Sequence, residues 1–224
     1  MIDDTNTQPV RIWDAPTRLF HWLLALLILA QYLTGEFDLV EDMRWHFWGG
    51  YATLTLIVFR VLWGMFGSQT SRFGEFVRGP TAVTAYVRNR FSSAQVKVGH
   101  NPLGGWSVVA LLLVLAAQCV TGLFASDDLD NAGVLAAHVS GRTVKLMTHW
   151  HHLTQDVLLV LIAIHIAAVL LYLLLRHENL ITPMLSGRRR LADHVPLRFA
   201  SAWRALALLL VSAAAVLGMV WYAG

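Results

Sequence analysis

A single cysteine in 224 residues excludes an intrachain disulfide and any zinc-type thiolate cluster. Cys119 sits in an apolar run and reads as a small buried hydrophobe. Charge is scarce as well. Charged residues are 14% of the chain against 56% hydrophobic, and the mean hydropathy is +0.55, far too apolar for a soluble domain of this length. The sequence displays no repeat, no low-complexity tract and no glycine-rich phosphate loop. The first apolar run begins late, follows Asp3, Asp4 and Asp14, and is not succeeded by a small-residue cleavage site, so a cleavable signal peptide is not expected.

What is present is hydrocarbon-length helix. Five runs approach or exceed the roughly 20 residues needed to cross a bilayer: 17–34, 45–66, 104–124, 149–175 and 202–222. The expected fold is all-α, an integral membrane helical bundle in one domain. With the amino terminus in the cytoplasm, Arg11, Arg18, Arg60, Arg72, Arg78, Arg88, Arg90, Lys97, Arg176, Arg188, Arg189, Arg190, Arg198 and Arg204 fall inside. Only Arg44, Arg142 and Lys145 fall outside. That bias sets the orientation and leaves the carboxyl terminus periplasmic. Glu36, Asp38, Glu41, Asp42, Asp127, Asp128 and Asp130 mark the outer loops. The pI near 9.4 then reflects inner loops beside anionic lipid headgroups, not a nucleic-acid surface. In the inner connection 67–103, PTAVTAYVRNRF places Val83, Tyr86, Val87 and Phe91 on one helical face, consistent with a short interfacial helix or a solvated loop helix.

The chemistry lies in the histidines. His151 and His165 are fourteen residues apart in one apolar helix, about 40° short of four full turns, so they share a face about 21 Å apart along the axis. His152 and His149 point away from that face. Polar rings at membrane depth read as functional, with partners on neighbouring helices. Depth permits two pairs: His21 with His165 toward the inside, and His46 with His151 toward the outside. The fourth helix is expected to run past the bilayer toward His177, because His165 lies farther from its helix end than His21 does.

Two ligands per metal, in two sites four turns apart, suit a haem whose macrocycle supplies the other four bonds better than zinc or copper. The absence of Cys-x-x-Cys-His leaves only non-covalent attachment. Gly49 and Gly50, one turn after His46, leave room for a porphyrin or equally for close helix packing. Arg60 shares the face of His46 four turns deeper, where a propionate would meet it, and Arg18, one turn before His21, is a similar candidate. Snorkelling to lipid phosphate is the other reading of both. His100, at the inner end of the third span, is placed to serve a propionate or a quinone oxygen, or simply to enter the helix.

RIWDAPTRLFHW, HFWGGYATLTLIVFRVLWGMFGS, RFGEFVRGPTAVTAYV, GHNPLGGW and the His151/His165 helix, in that order, resemble the bacterial cytochrome b561 family. That family includes cytochrome b subunits of membrane hydrogenases and is similar to those of formate dehydrogenase. The resemblance implies a four-helix core with two b-type haems held by His21, His46, His151 and His165, and makes the fifth span a peripheral addition. It implies transfer of single electrons between membrane quinone or quinol and a redox partner, in the bacterial inner membrane. A periplasmic partner is expected, such as a c-type cytochrome or a dehydrogenase or hydrogenase subunit. Bis-histidine ligation leaves iron no open position, which favours electron transfer over oxygen activation. A stand-alone quinone-coupled oxidase of superoxide or another small donor is the enzymatic alternative. A histidine-lined proton or metal transporter is the third reading, and it would show broken helices or inverted repeats.

Overall fold

A computed structural model describes residues 7–37, 42–89, 98–127, 130–191 and 195–224. Asp3, Asp4, Asp38, Glu41, Arg90, Phe91, Lys97 and Asp128 lie outside the described residues. In chain order the elements are β1 (Gln8–Arg11), α1 (Ala15–Glu36), α2 (Arg44–Phe66), α3 (Phe73–Phe76), α4 (Pro80–Arg88), α5 (Pro102–Gly122), α6 (Gly141–Leu175), α7 (Ile181–Ser186), β2 (Arg188–Leu191) and α8 (Ala202–Ala223). Helices α1, α2, α5, α6 and α8 are each long and apolar enough to cross a membrane.

Local chemistry sets where these helices begin. The Asp14 carboxylate accepts from Thr17 N at 2.7 Å with Pro16 in the first turn of α1. Asn101 does the same for Gly104 N at 2.7 Å, with Pro102 opening α5. Ser140 caps α6 through Thr143 N and Ser201 caps α8 through Arg204 N. Each cap satisfies a backbone donor that the first turn leaves free, next to a proline where one is tolerated.

Helices α1 and α2 form one close pair and α5 and α6 another, α2 joins the pairs by touching α5, and α8 lies along α2. Tyr172 near the end of α6 accepts from Asn101 Nδ2 at the start of α5, at 3.1 Å. Trp63 near the end of α2 donates to Asp14 at the start of α1, at 3.3 Å. The Trp13 ring meets the His100 ring at 4.8 Å. The starts of α1 and α5 therefore share one end of the bundle with the ends of α2 and α6. Burial follows the same plan: Phe20, Phe59, Trp63 and Ala205 tie α1, α2 and α8 together, while Ile57, Leu115 and Leu158 tie α2, α5 and α6.

A buried polar knot holds that end. Asp14 and Trp63 are both 0% exposed. Asp14 accepts from the Ser71 hydroxyl at 3.4 Å, and Thr17 lies 2.6 Å from Ser71 and accepts from Trp63 Nε1 at 3.2 Å. The carboxylate is thus matched by donors from three segments, as a buried charge requires.

Two features differ from the sequence expectation. Strands β1 and β2 pair antiparallel, Gln8 opposite Leu191 through Arg11 opposite Arg188. Each is four residues long, and RRRL reads as a charge run until its partner is known. Gly187, with φ of 80°, turns the chain into β2 and accepts from Ile12 N and Trp13 N. A Cβ there would sit 2.8 Å from Trp13 O. Helix α6 is 35 residues, about 50 Å long at 1.5 Å per residue. Its extra length lies before residue 149, not toward His177. It stops at Leu175, and His177 has a left-handed φ of 51° that no helix continues. The helix expected in PTAVTAYVRNRF forms as α4, which packs on α5 with Tyr86 buried and Val87 exposed.

Candidate functional site

The structure brings the four histidines together as two pairs. His21 on α1 and His165 on α6 have ring centroids 6.4 Å apart, and His46 on α2 and His151 on α6 are also 6.4 Å apart. A metal–imidazole bond of about 2 Å on each side, plus about 1 Å from ring nitrogen to ring centroid, calls for about 6 Å. Both pairs fit two axial ligands to one iron. His149 and His152 are exposed. Among the described residues there is no group of three or more His, Cys, Asp or Glu that could hold a metal. Each pair thus offers two ring nitrogens.

The His46–His151 pair borders a cavity of about 260 Å³ lined in part by Gln31, Gly35, Gly50, Gly122 and Leu158. His46 Nδ1 lies 3.2 Å from the Thr34 hydroxyl, and Gln31 Nε2 donates to the His46 carbonyl at 2.9 Å. His151 Nδ1 lies 3.0 Å from Gln118 O and 3.3 Å from the Thr121 hydroxyl. Gly50 lines the cavity, whereas Gly49 faces Gln31, whose Oε1 would be 2.1 Å from a Cβ there.

The His21–His165 pair lies toward the Asp14 end and is ringed by unmatched donors. The buried side-chain atoms without a hydrogen-bond partner among the described residues are Thr7 Oγ1, Arg18 Nε, His21 Nδ1, Arg60 Nη1 and His100 Nδ1. Four of these five belong to residues that the sequence placed at this level. Arg60 is only 3% exposed, with its guanidinium 4.9 Å above the Phe73 ring and 5.8 Å from that of Phe76. The Phe76 ring in turn meets the His100 ring at 4.5 Å. Arg18 donates through Nη1 to the Leu185 carbonyl. Burial, and next the Arg60 guanidinium, push His100 down to about 3, leaving a neutral imidazole. A buried guanidinium and an imidazole nitrogen left without partners are costly unless an acidic group meets them. This donor set fits a ligand that carries carboxylates, as haem does in its propionates.

Sequence reasoning missed the groups that hold the His46 and His151 rings. Gln31, Thr34 and Gly35 on α1 face His46, and Gln118, Thr121 and Gly122 on α5 face His151. A Cβ at Gly35 would lie 3.0 Å from His46 Cε1, and one at Gly122 2.8 Å from His151 Cε1. The signal was there: AQYLTG and AQCVTG are one pattern occurring twice. The sequence reading found no repeat because six residues within apolar helices do not stand out without the pairing. A third cluster joins Tyr86 to Tyr172 at 2.5 Å, with Asn101 on Tyr172. Burial and the Tyr172 hydroxyl raise the Tyr86 phenol well above its usual range.

A profile of the prokaryotic cytochrome b561 family matches residues 12–187, which include α1, α2, α5 and α6 and leave out α8. A probable Ni/Fe-hydrogenase B-type cytochrome subunit of Azotobacter chroococcum mcd 1 is 26% identical over 220 residues, covering 84% of this chain and 91% of that protein. Proteins of the same description from Cupriavidus necator and Azotobacter vinelandii are 24% and 25% identical, covering 81% and 84% of this chain and 87% and 91% of theirs. No solved structure matches. The five candidate spans and the family match make this a multi-pass membrane b-type cytochrome of electron transfer, and the chain belongs to the prokaryotic cytochrome b561 family.

Proposed function

We propose that the chain binds two non-covalent b-type haems, at His21–His165 and at His46–His151, and carries electrons between the quinone pool and a periplasmic redox partner across the bacterial inner membrane. The observation that carries this reading is the equal 6.4 Å separation of both histidine pairs, with one member of each on α6. Haem held by the two histidines of a pair would supply a one-electron iron couple. The residues do the rest. His151 and His165 hold the two sites on one rigid helix, and His46 and His21 close them from α2 and α1. Arg60 and Arg18 supply positive charge for propionates at the inner site, and His100 offers a neutral ring nitrogen beside them. The unbroken 35 residues of α6 favour this over the transporter reading, which calls for interrupted helices at the site.

The names of the relatives favour a nickel-iron hydrogenase as the partner. With the amino terminus in the cytoplasm, Asp127 and Asp130, both exposed, lie on the outer face near His46 and His151 and give that partner an acidic landing surface. The test is a proteoliposome holding the purified chain and a quinone. Hydrogenase and H2 added outside should reduce the quinone only when the chain is present, two electrons and two protons per quinone. Equal reduction without the chain, or a chain whose absorbance never responds to hydrogenase or to quinol, contradicts the reading.

A further inference from the structure

The two Ala-Gln-x-x-Thr-Gly segments occupy equivalent places. Ala30 to Gly35 run near the end of α1 and face His46 on α2; Ala117 to Gly122 end α5 and face His151 on α6. Helices α1 and α5 start at the same end of the bundle, and each carries its segment at its far end against a histidine of the helix it packs on. The threonine bonds match, whereas the glutamines differ, Gln31 donating to the His46 carbonyl and Gln118 lying against the His151 ring. Thr34 Oγ1 donates to Ala30 O at 2.8 Å and Thr121 Oγ1 to Ala117 O at 2.8 Å. Each hydroxyl proton is thereby committed to its own helix, and each oxygen is left to accept.

The Gln118 carbonyl, which can only accept, sets the His151 tautomer, and the commitment of the Thr34 hydroxyl to Ala30 favours the same tautomer for His46. With an acceptor oxygen 3.2 Å from His46 Nδ1 and acceptors 3.0 and 3.3 Å from His151 Nδ1, the proton sits on Nδ1 and the lone pair on Nε2. For His151 a second contact agrees, since the Gln118 amide lies 3.2 Å from Nε2 and can donate there. Gly35 and Gly122 complete each support by letting the ring lie against the helix, at a distance that a Cβ would crowd. The other pair has no such arrangement: His21 Nδ1 is buried without a partner, and His165 has no ring hydrogen bond among the described residues.

We propose that Thr34 and Thr121 are positioning residues for one haem only, accepting a hydrogen bond from each axial imidazole of the His46–His151 pair and so lowering the potential of that haem relative to its unsupported state. The physical basis is that a hydrogen bond accepted from the non-ligating nitrogen makes an axial imidazole a stronger donor, which favours ferric iron. The proposal rests on the reading that this pair binds haem.

The test is potentiometry of the purified two-haem protein, followed by visible absorbance, with His151→Ala used to assign which potential belongs to the pair. Thr34→Val should move that potential positive and leave the other unchanged, Thr121→Val should move it the same way but less because the Gln118 carbonyl still accepts from His151 Nδ1, and Thr→Ser at either position should restore it. If a valine variant loses haem, recovery of both the haem and its potential with serine supports the hydroxyl role. Valine variants that keep both haems and both potentials would overturn the proposal, as would serine variants that behave like valine. A chain without haem at the pair, or one whose absorbance His151→Ala leaves intact, would instead overturn the reading of function beneath it.

Discussion

The imidazole planes of His46 and His151 stand 81° apart, close to perpendicular, whereas those of His21 and His165 are 51° apart. Mutual ring orientation governs the splitting of the iron d orbitals in a bis-imidazole ferric haem, and near-perpendicular rings give the most anisotropic low-spin signal. Electron paramagnetic resonance of the oxidised protein should therefore show two low-spin species of unequal anisotropy. His46→Ala should remove the more anisotropic one.

Neighbouring histidines on α6 separate ligands from bystanders. His151→Ala and His165→Ala should each remove one haem or convert it to a high-spin form. His152→Ala, at an exposed position one residue from His151, should leave both low-spin spectra intact. Loss of haem from the His152 variant with retention in the His151 variant would refute the assignment.

Arg60 carries a buried charge whose Nη1 has no partner among the described residues. If it meets a propionate, Arg60→Leu removes a charge-assisted bond of about 2 kcal/mol. Haem at His21–His165 should then be held roughly tenfold or more weaker, since each 1.4 kcal/mol is about tenfold. Its potential should also fall, because a nearby cation favours the ferrous state. Arg60→Lys should recover part of both effects. Haem titration and potentiometry check this, and an unchanged potential would place the guanidinium away from the cofactor.

Asp14 is a structural residue at the same end. Asp14→Ala removes the cap of α1 and an acceptor for Trp63 and Ser71, and should cost about 1–3 kcal/mol. Thermal unfolding in detergent should register this loss with both haem spectra unaltered in the folded protein.

The helical plan was legible because hydrocarbon-length runs leave little choice of structure. The histidine pairing was legible for a geometric reason: fourteen residues on a helix fix a shared face, and alternating spans fix depth, so two partners at matching levels could be found without coordinates. Arg18, Arg60 and His100 were found by the same reasoning about level, and they account for most of the unpartnered buried donors. The Gln-x-x-Thr-Gly supports were not found. Their meaning depends on which helix faces which, and a threonine or glycine in a membrane helix has ordinary packing roles. The β1–β2 ribbon escaped for a similar reason, since each four-residue strand is defined only by a partner some 180 residues away. The earlier start of α6 rests on the Ser140 cap, which lies in a polar stretch that hydropathy does not mark as helix.

The central claim, two haems held by two histidine pairs, is tested most directly by counting haem in the purified chain. Acid–acetone extraction followed by a pyridine haemochrome assay should give two extractable b-type haems per polypeptide. One haem per chain, none, or haem that resists extraction would contradict the account.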